Sequence, residues 1–103
     1  MINEEILSRI SISKDVLNEL FYIAKSCDIE CIKIFGSRVH GRNHQTSDID
    51  LAVWGGNISL FTVLVDEKTN TLLKYDIVNM ENPVQEDLIK VIEKEGVVIY
   101  EKS

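Results

Sequence analysis

Residues 36 to 53 read GSRVHGRNHQTSDIDLAV: a Gly-Ser pair, ten intervening residues, and then Asp48 and Asp50 on either side of one isoleucine. A strand points successive side chains to opposite faces, so Asp48 and Asp50 share one face while Ile49, Leu51 and Val53 share the other. The segment is therefore oily on one side and doubly anionic on the other. Two carboxylates held that close repel unless a cation lies between them, and clustered carboxylate oxygens suit hard divalent ions such as Mg²⁺. Upstream, Ile32-Lys33-Ile34-Phe35 reads as a strand running into Gly36-Ser37, where the backbone can open a helix with free amides facing an anion. A metal site and a phosphate site are thus expected on adjacent segments.

The rest of the chain supplies a frame for that pair. Its 103 residues suit one small domain spanning 1–103, with 45% hydrophobic and 27% charged residues, an ordinary balance for a soluble globular protein. No apolar run approaches the roughly 20 residues of a membrane-spanning helix. The opening Met1-Ile2-Asn3-Glu4-Glu5-Ile6 carries acids where a signal peptide needs basic residues, so a cytoplasmic location is expected. A net charge of −6 argues against a long nucleic-acid footprint, because phosphate backbones are held by clustered Lys and Arg. A small nucleotide neutralised by metal fits better. Near the motif, Lys33, Arg38, His40, Arg42 and His44 precede any acid and could form an electropositive rim, or simply a solvated loop.

The periodicity predicts a short helical opening at 3–9, then a helix capped by Ser13 with Val16, Leu17, Leu20, Phe21 and Ala24 as its apolar stripe, ending near Cys27-Asp28. Strands follow at about 31–35 and 48–54, with a short helix from Ser37 between them. Gly55-Gly56-Asn57 reads as a turn, and Ser59 as the cap of a helix through Leu60, Val63, Leu64 and Glu67. Phe61, Leu64 and Val65 with Leu60 suit core packing, with a partner interface as the alternative use. A third strand is expected from Leu72 to Asn79. A last helix opens at Asn82-Pro83, buries Leu88, Val91 and Ile92, and stops at Gly96 before the strand Val97-Val98-Ile99-Tyr100. The fold class is α/β (α+β), a mixed sheet of about four strands flanked by helices. Cys27 and Cys31, a lone C-x₃-C without a second ligand pair, read as reduced thiols that pack as small hydrophobes. Trp54 reads as packing at a strand end, with stacking on a base as the alternative.

In the third strand Tyr75 and Ile77 share one face and Asp76 takes the other. If that strand neighbours the second, Asp76 joins Asp48 and Asp50; otherwise it is a solvent-facing residue of an edge.

Gly-Ser at the end of one strand and Asp-x-Asp on the next resemble the DNA polymerase beta-like nucleotidyltransferase superfamily. The segments Gly36-Ser37-Arg38-Val39-His40-Gly41 and Ser47-Asp48-Ile49-Asp50-Leu51 resemble its minimal nucleotidyltransferases, antitoxin partners of HEPN-domain toxins. The resemblance implies transfer of AMP from ATP to a hydroxyl of a partner protein, with a tyrosine of a HEPN-type toxin as acceptor and oligomers with itself or that partner conceivable. It implies two Mg²⁺ ions held by Asp48 and Asp50, with Asp76 completing the site and accepting the proton of the attacking hydroxyl. Gly36, Ser37, Arg38 and Ser47 would bind the nucleotide, although Arg38 could equally turn to solvent. His40 stands where the minimal group often has Arg, and a neutral imidazole is a weaker phosphate ligand. Two rival readings remain: an antitoxin that neutralises its partner by occlusion with an idle pocket, and a small-molecule nucleotidyltransferase.

Overall fold

The structure, a computed structural model, describes residues 12, 14–36, 49–68 and 74–102. Among the described residues seven elements follow one another: α1 (Lys14–Ser26), β1 (Cys31–Phe35), β2 (Ile49–Trp54), α2 (Ile58–Lys68), β3 (Tyr75–Asn79), α3 (Glu86–Glu95) and β4 (Val97–Glu101). The strands form one sheet in the order β3-β2-β1-β4. β1 is antiparallel to both β2 and β4, whereas β2 and β3 run parallel with α2 as their crossover. The expected mixed four-stranded sheet with flanking helices is the observed one.

Strand periodicity divides the sheet into two unlike faces. Ile32, Ile34, Ile49, Leu51 and Val53 are fully buried under α1 and α2, where they meet Leu17, Leu20, Ile23, Phe61 and Val65. The other face holds a smaller cluster of Phe35, Ala52 and Ile92, completed by Trp54, Val78, Met80 and Leu88 and covered by α3. Val91, expected on the inner face of α3, is instead 39% exposed. Ile92 is the one buried residue of α3, and with the half-buried Leu88 it seats the helix on so small a cluster.

α1 ends where a residue adopts a left-handed conformation, Asp28 at φ 58. Ile29 N–H donates to Ala24 O at 3.0 Å and Asp28 N–H to Lys25 O at 3.3 Å, the paired bonds of a Schellman motif, with Ile29 buried beyond it. α2 is capped two residues earlier than its hydroxyl suggested. Asn57, not Ser59, accepts the Leu60 N–H on its Oδ1 at 3.1 Å, because Gly55 and Gly56 turn the chain so that Asn57 sits just before the first helical residue. α3 likewise begins at Glu86 rather than at Asn82-Pro83. Asn79 first holds a turn by accepting the Glu81 N–H on Oδ1 at 2.9 Å and the Asn82 N–H on its carbonyl at 3.2 Å. Gly96 stops α3 in an extended conformation, donating to Ile92 O at 2.9 Å. The helical opening at 3–9, the Ser13 cap and the helix from Ser37 lie outside the described residues.

Candidate active site

β2 carries Asp50 as its second residue and β3 carries Asp76 as its second, and the parallel register sets these two opposite each other. On the other side of β2, Asp50 stands opposite Phe35, the last residue of β1. Residues directly opposite share a face, so Phe35, Asp50 and Asp76 make one row across three strands, spaced about 4.8 Å from strand to strand. The row lies on the α3 face, where Phe35 and Ala52 are buried, Asp50 is half-buried and Asp76 is exposed. The sequence marked the acids but not Phe35, whose signal was its place as the last apolar residue before Gly36.

Gly36 follows Phe35 directly and has φ 83, a conformation that side chains with a Cβ rarely adopt. A Cβ there would overlap Asp50 Oδ2 and stand 3.3 Å from Asp50 Cγ. The Asp50 carboxylate therefore lies against the bare backbone at the end of β1, and that contact exists only because residue 36 is glycine. Ser37, Arg38, Ser47 and Asp48 lie outside the described residues, as do His40, Arg42 and His44.

Two carboxylates facing one another beside an open backbone have the oxygen-donor chemistry of a magnesium site. Among the described residues they are not joined by a third potential ligand. Asp48, two positions before Asp50, is the residue that strand periodicity would add to this face.

Lys33 is not near this row. It pairs with Ala52 on the same face, but its Nζ lies over the Trp54 ring, 5.7 Å from the centroid, at the far end of β2. The cation is drawn to the aromatic face rather than to the carboxylates, so the rim expected from the sequence loses this member. Trp54 itself packs against the Phe35, Ala52 and Ile92 cluster. Cys27 is buried and Cys31 half-buried; burial pushes both thiols up, and Glu101 adds to the effect at Cys31 while Lys33 opposes it.

Residues 18–103 match the family model for polymerase beta nucleotidyltransferases. The chain belongs to this family. Among the curated proteins none matches the nucleotidyltransferase. Its fold is similar to that of a toxin-antitoxin complex crystallised with AMP-PNP, at 20% identity and a TM-score of 0.66, over 84% of this chain and 74% of the other. It is similar also to a mutant of the toxin-antitoxin complex MntA-HpeT, at 18% identity and a TM-score of 0.65, with the same coverage of both chains.

Proposed function

We propose that this nucleotidyltransferase is a minimal, antitoxin-type enzyme that transfers AMP from ATP to a hydroxyl of a partner protein, a tyrosine of a HEPN-type toxin. The reading rests on one observation: Asp50 and Asp76 stand opposite each other on neighbouring strands, with Asp50 packed against Gly36. The complexes of similar fold, described as toxin-antitoxin pairs and in one case holding an ATP analogue, support the choice of partner and nucleotide.

In this reading Asp48, Asp50 and Asp76 hold magnesium, which when bound disperses the charge that builds on the attacking and leaving oxygens. Asp76, the more exposed acid, accepts the proton of the acceptor hydroxyl. The acceptor oxygen bonds to the α-phosphorus, the bond from that phosphorus to the bridging oxygen breaks, and pyrophosphate leaves with the electron pair. Gly36 lets the phosphates approach the backbone, and Ser37, Arg38 and Ser47 bind the nucleotide.

The test is incubation of the protein with α-labelled ATP, Mg²⁺ and a co-expressed neighbouring toxin. Label on the toxin that disappears with Asp50→Asn supports transfer. Neutralisation of the toxin without label, undiminished in that variant, would establish occlusion instead.

A further inference from the structure

The residue just before β3 continues the strand's pattern. Ile49 N–H donates to Lys74 O at 2.9 Å, which carries the parallel ladder with β2 one residue beyond the start of β3. Tyr75 and Ile77 pack into the core under α1 and α2, while Val78 and Met80 pack on the α3 face, so the alternation puts Lys74 on the face of Asp76. Two strand steps, roughly 6.6 Å, separate the two residues. A flexible four-carbon stem spans that distance and brings the Lys74 ammonium within reach of an oxygen that Asp76 touches.

Lys33 lies over Trp54, Lys90 sits 3.7 Å from Glu86 and Lys102 is bound to Asp28. Lys74 is exposed, and among the described residues its ammonium has no carboxylate partner, Asp76 included. The strand order fixes which side of the site it serves. Gly36, the phosphate side in the transfer reading, ends β1, and β2 lies between it and β3. Lys74 therefore stands on the acceptor's side, about 9.6 Å or two strand spacings away from β1. There the acceptor oxygen loses its proton and turns anionic beside Asp50 and Asp76, two groups of the wrong sign to stabilise it. A positive charge already in place on that face offsets them without any rearrangement at the moment of reaction.

We propose that Lys74 is a catalytic residue of the transfer, its ammonium holding the acceptor oxygen while Asp76 takes the proton. This rests on the transfer reading. The oxygen's electron pair makes the bond to the α-phosphorus, the proton goes to Asp76, pyrophosphate leaves with its own electron pair, and Lys74 keeps all its protons.

The test gives the full chain α-labelled ATP, Mg²⁺ and the co-expressed neighbouring toxin, the toxin prepared with ordinary tyrosine or with the more acidic 3,5-difluorotyrosine. Lys74→Met keeps the length of the side chain and removes its charge, so kcat should fall roughly 10²-fold, and Lys74→Arg should restore most of it. The dissociation constant of ATP with Mg²⁺, measured by calorimetry without toxin, should stay within about twofold of the unaltered chain in both variants. The loss in Lys74→Met should shrink by roughly threefold or more with the fluorinated toxin, because a more acidic phenol needs less help in carrying negative charge. Weakened ATP binding that accounts for the lost rate would put Lys74 on the triphosphate and overturn the proposal. An equal loss with both toxins would overturn it too. Labelling by the unaltered chain and by Lys74→Met at the same rate overturns the role of Lys74 alone, whereas a toxin left unlabelled by the unaltered chain overturns the transfer reading and this role with it.

Discussion

Asp50 and Asp76 stand directly opposite each other in the parallel pair of β2 and β3, on the face that also buries Phe35. Two carboxylates in adjacent strands of one sheet face repel. Their row ends at Phe35, beside Gly36, so the two carboxylates stand next to backbone that no Cβ covers.

Replacing either acid should therefore separate activity from folding. Asp76→Asn keeps the shape but removes a proton acceptor, and transfer should fall on the order of 10²–10⁴-fold. Asp50→Asn should abolish magnesium-dependent binding of ATP. Asp76→Asn should melt at or above the wild-type temperature without magnesium, since a repulsion is relieved. A melt lowered by more than a few degrees would mean that the pair is structural.

Gly36→Ala should damage the site through geometry alone. At φ 83 an alanine costs about 1–2 kcal/mol, and its methyl overlaps Asp50 Oδ2. Denaturant unfolding should show at least that loss, and magnesium-dependent nucleotide binding should weaken with it. Wild-type binding by the alanine variant would show that Asp50 can move aside without consequence.

The cap of α2 gives a pair of contrasting substitutions. Asn57→Ala removes the acceptor of the Leu60 N–H and should cost about 1 kcal/mol, while Ser59→Ala, at an exposed position inside the first turn, should be close to neutral. Thermal melts of both variants check the order.

Alkaline pH should destabilise the fold through Cys27. Burial raises its thiol pKa above that in the unfolded chain. The unfolded chain then loses its proton first, so the stability this thiol contributes is full below about pH 8.5 and declines as pH rises through and beyond that value. Urea titrations across pH 7.5–10 should show the decline, and Cys27→Ala should make it shallower. An identical slope in the variant would assign the decline to other groups.

Much of the fold was legible because burial and strand period leave a mark in every residue. The run Ile32-Lys33-Ile34-Phe35, the alternation in Ile49 to Val53 and the stripe Leu17, Leu20, Ala24 each encode an element and its buried side locally, and all were found where the pattern set them. The misplacements came where two local signals competed. Asn57 and Ser59 are both good caps, and only the turn at Gly55-Gly56 selects between them. Asn82-Pro83 has the look of a helix start, yet Asn79 uses Asn82 to close a turn. Val91 lies next to the buried position on α3, and the small area of the Phe35 cluster decides that one of the two stays outside.

Within the site, sequence alone determined the chemistry on offer: aspartates spaced for one strand face, a glycine ending another strand, and a third acid with opposite neighbours. It could not determine which strands are neighbours. Period two assigns a side chain to a face, but register between strands distant in the chain is settled by packing, here by α2 carrying the chain from β2 to β3 over the Leu51 face. That crossover sets Asp76 opposite Asp50. The antiparallel pairing of β1 with β2 likewise brings Lys33 to Trp54, because these contacts depend on where whole elements come to rest rather than on any residue's own preference.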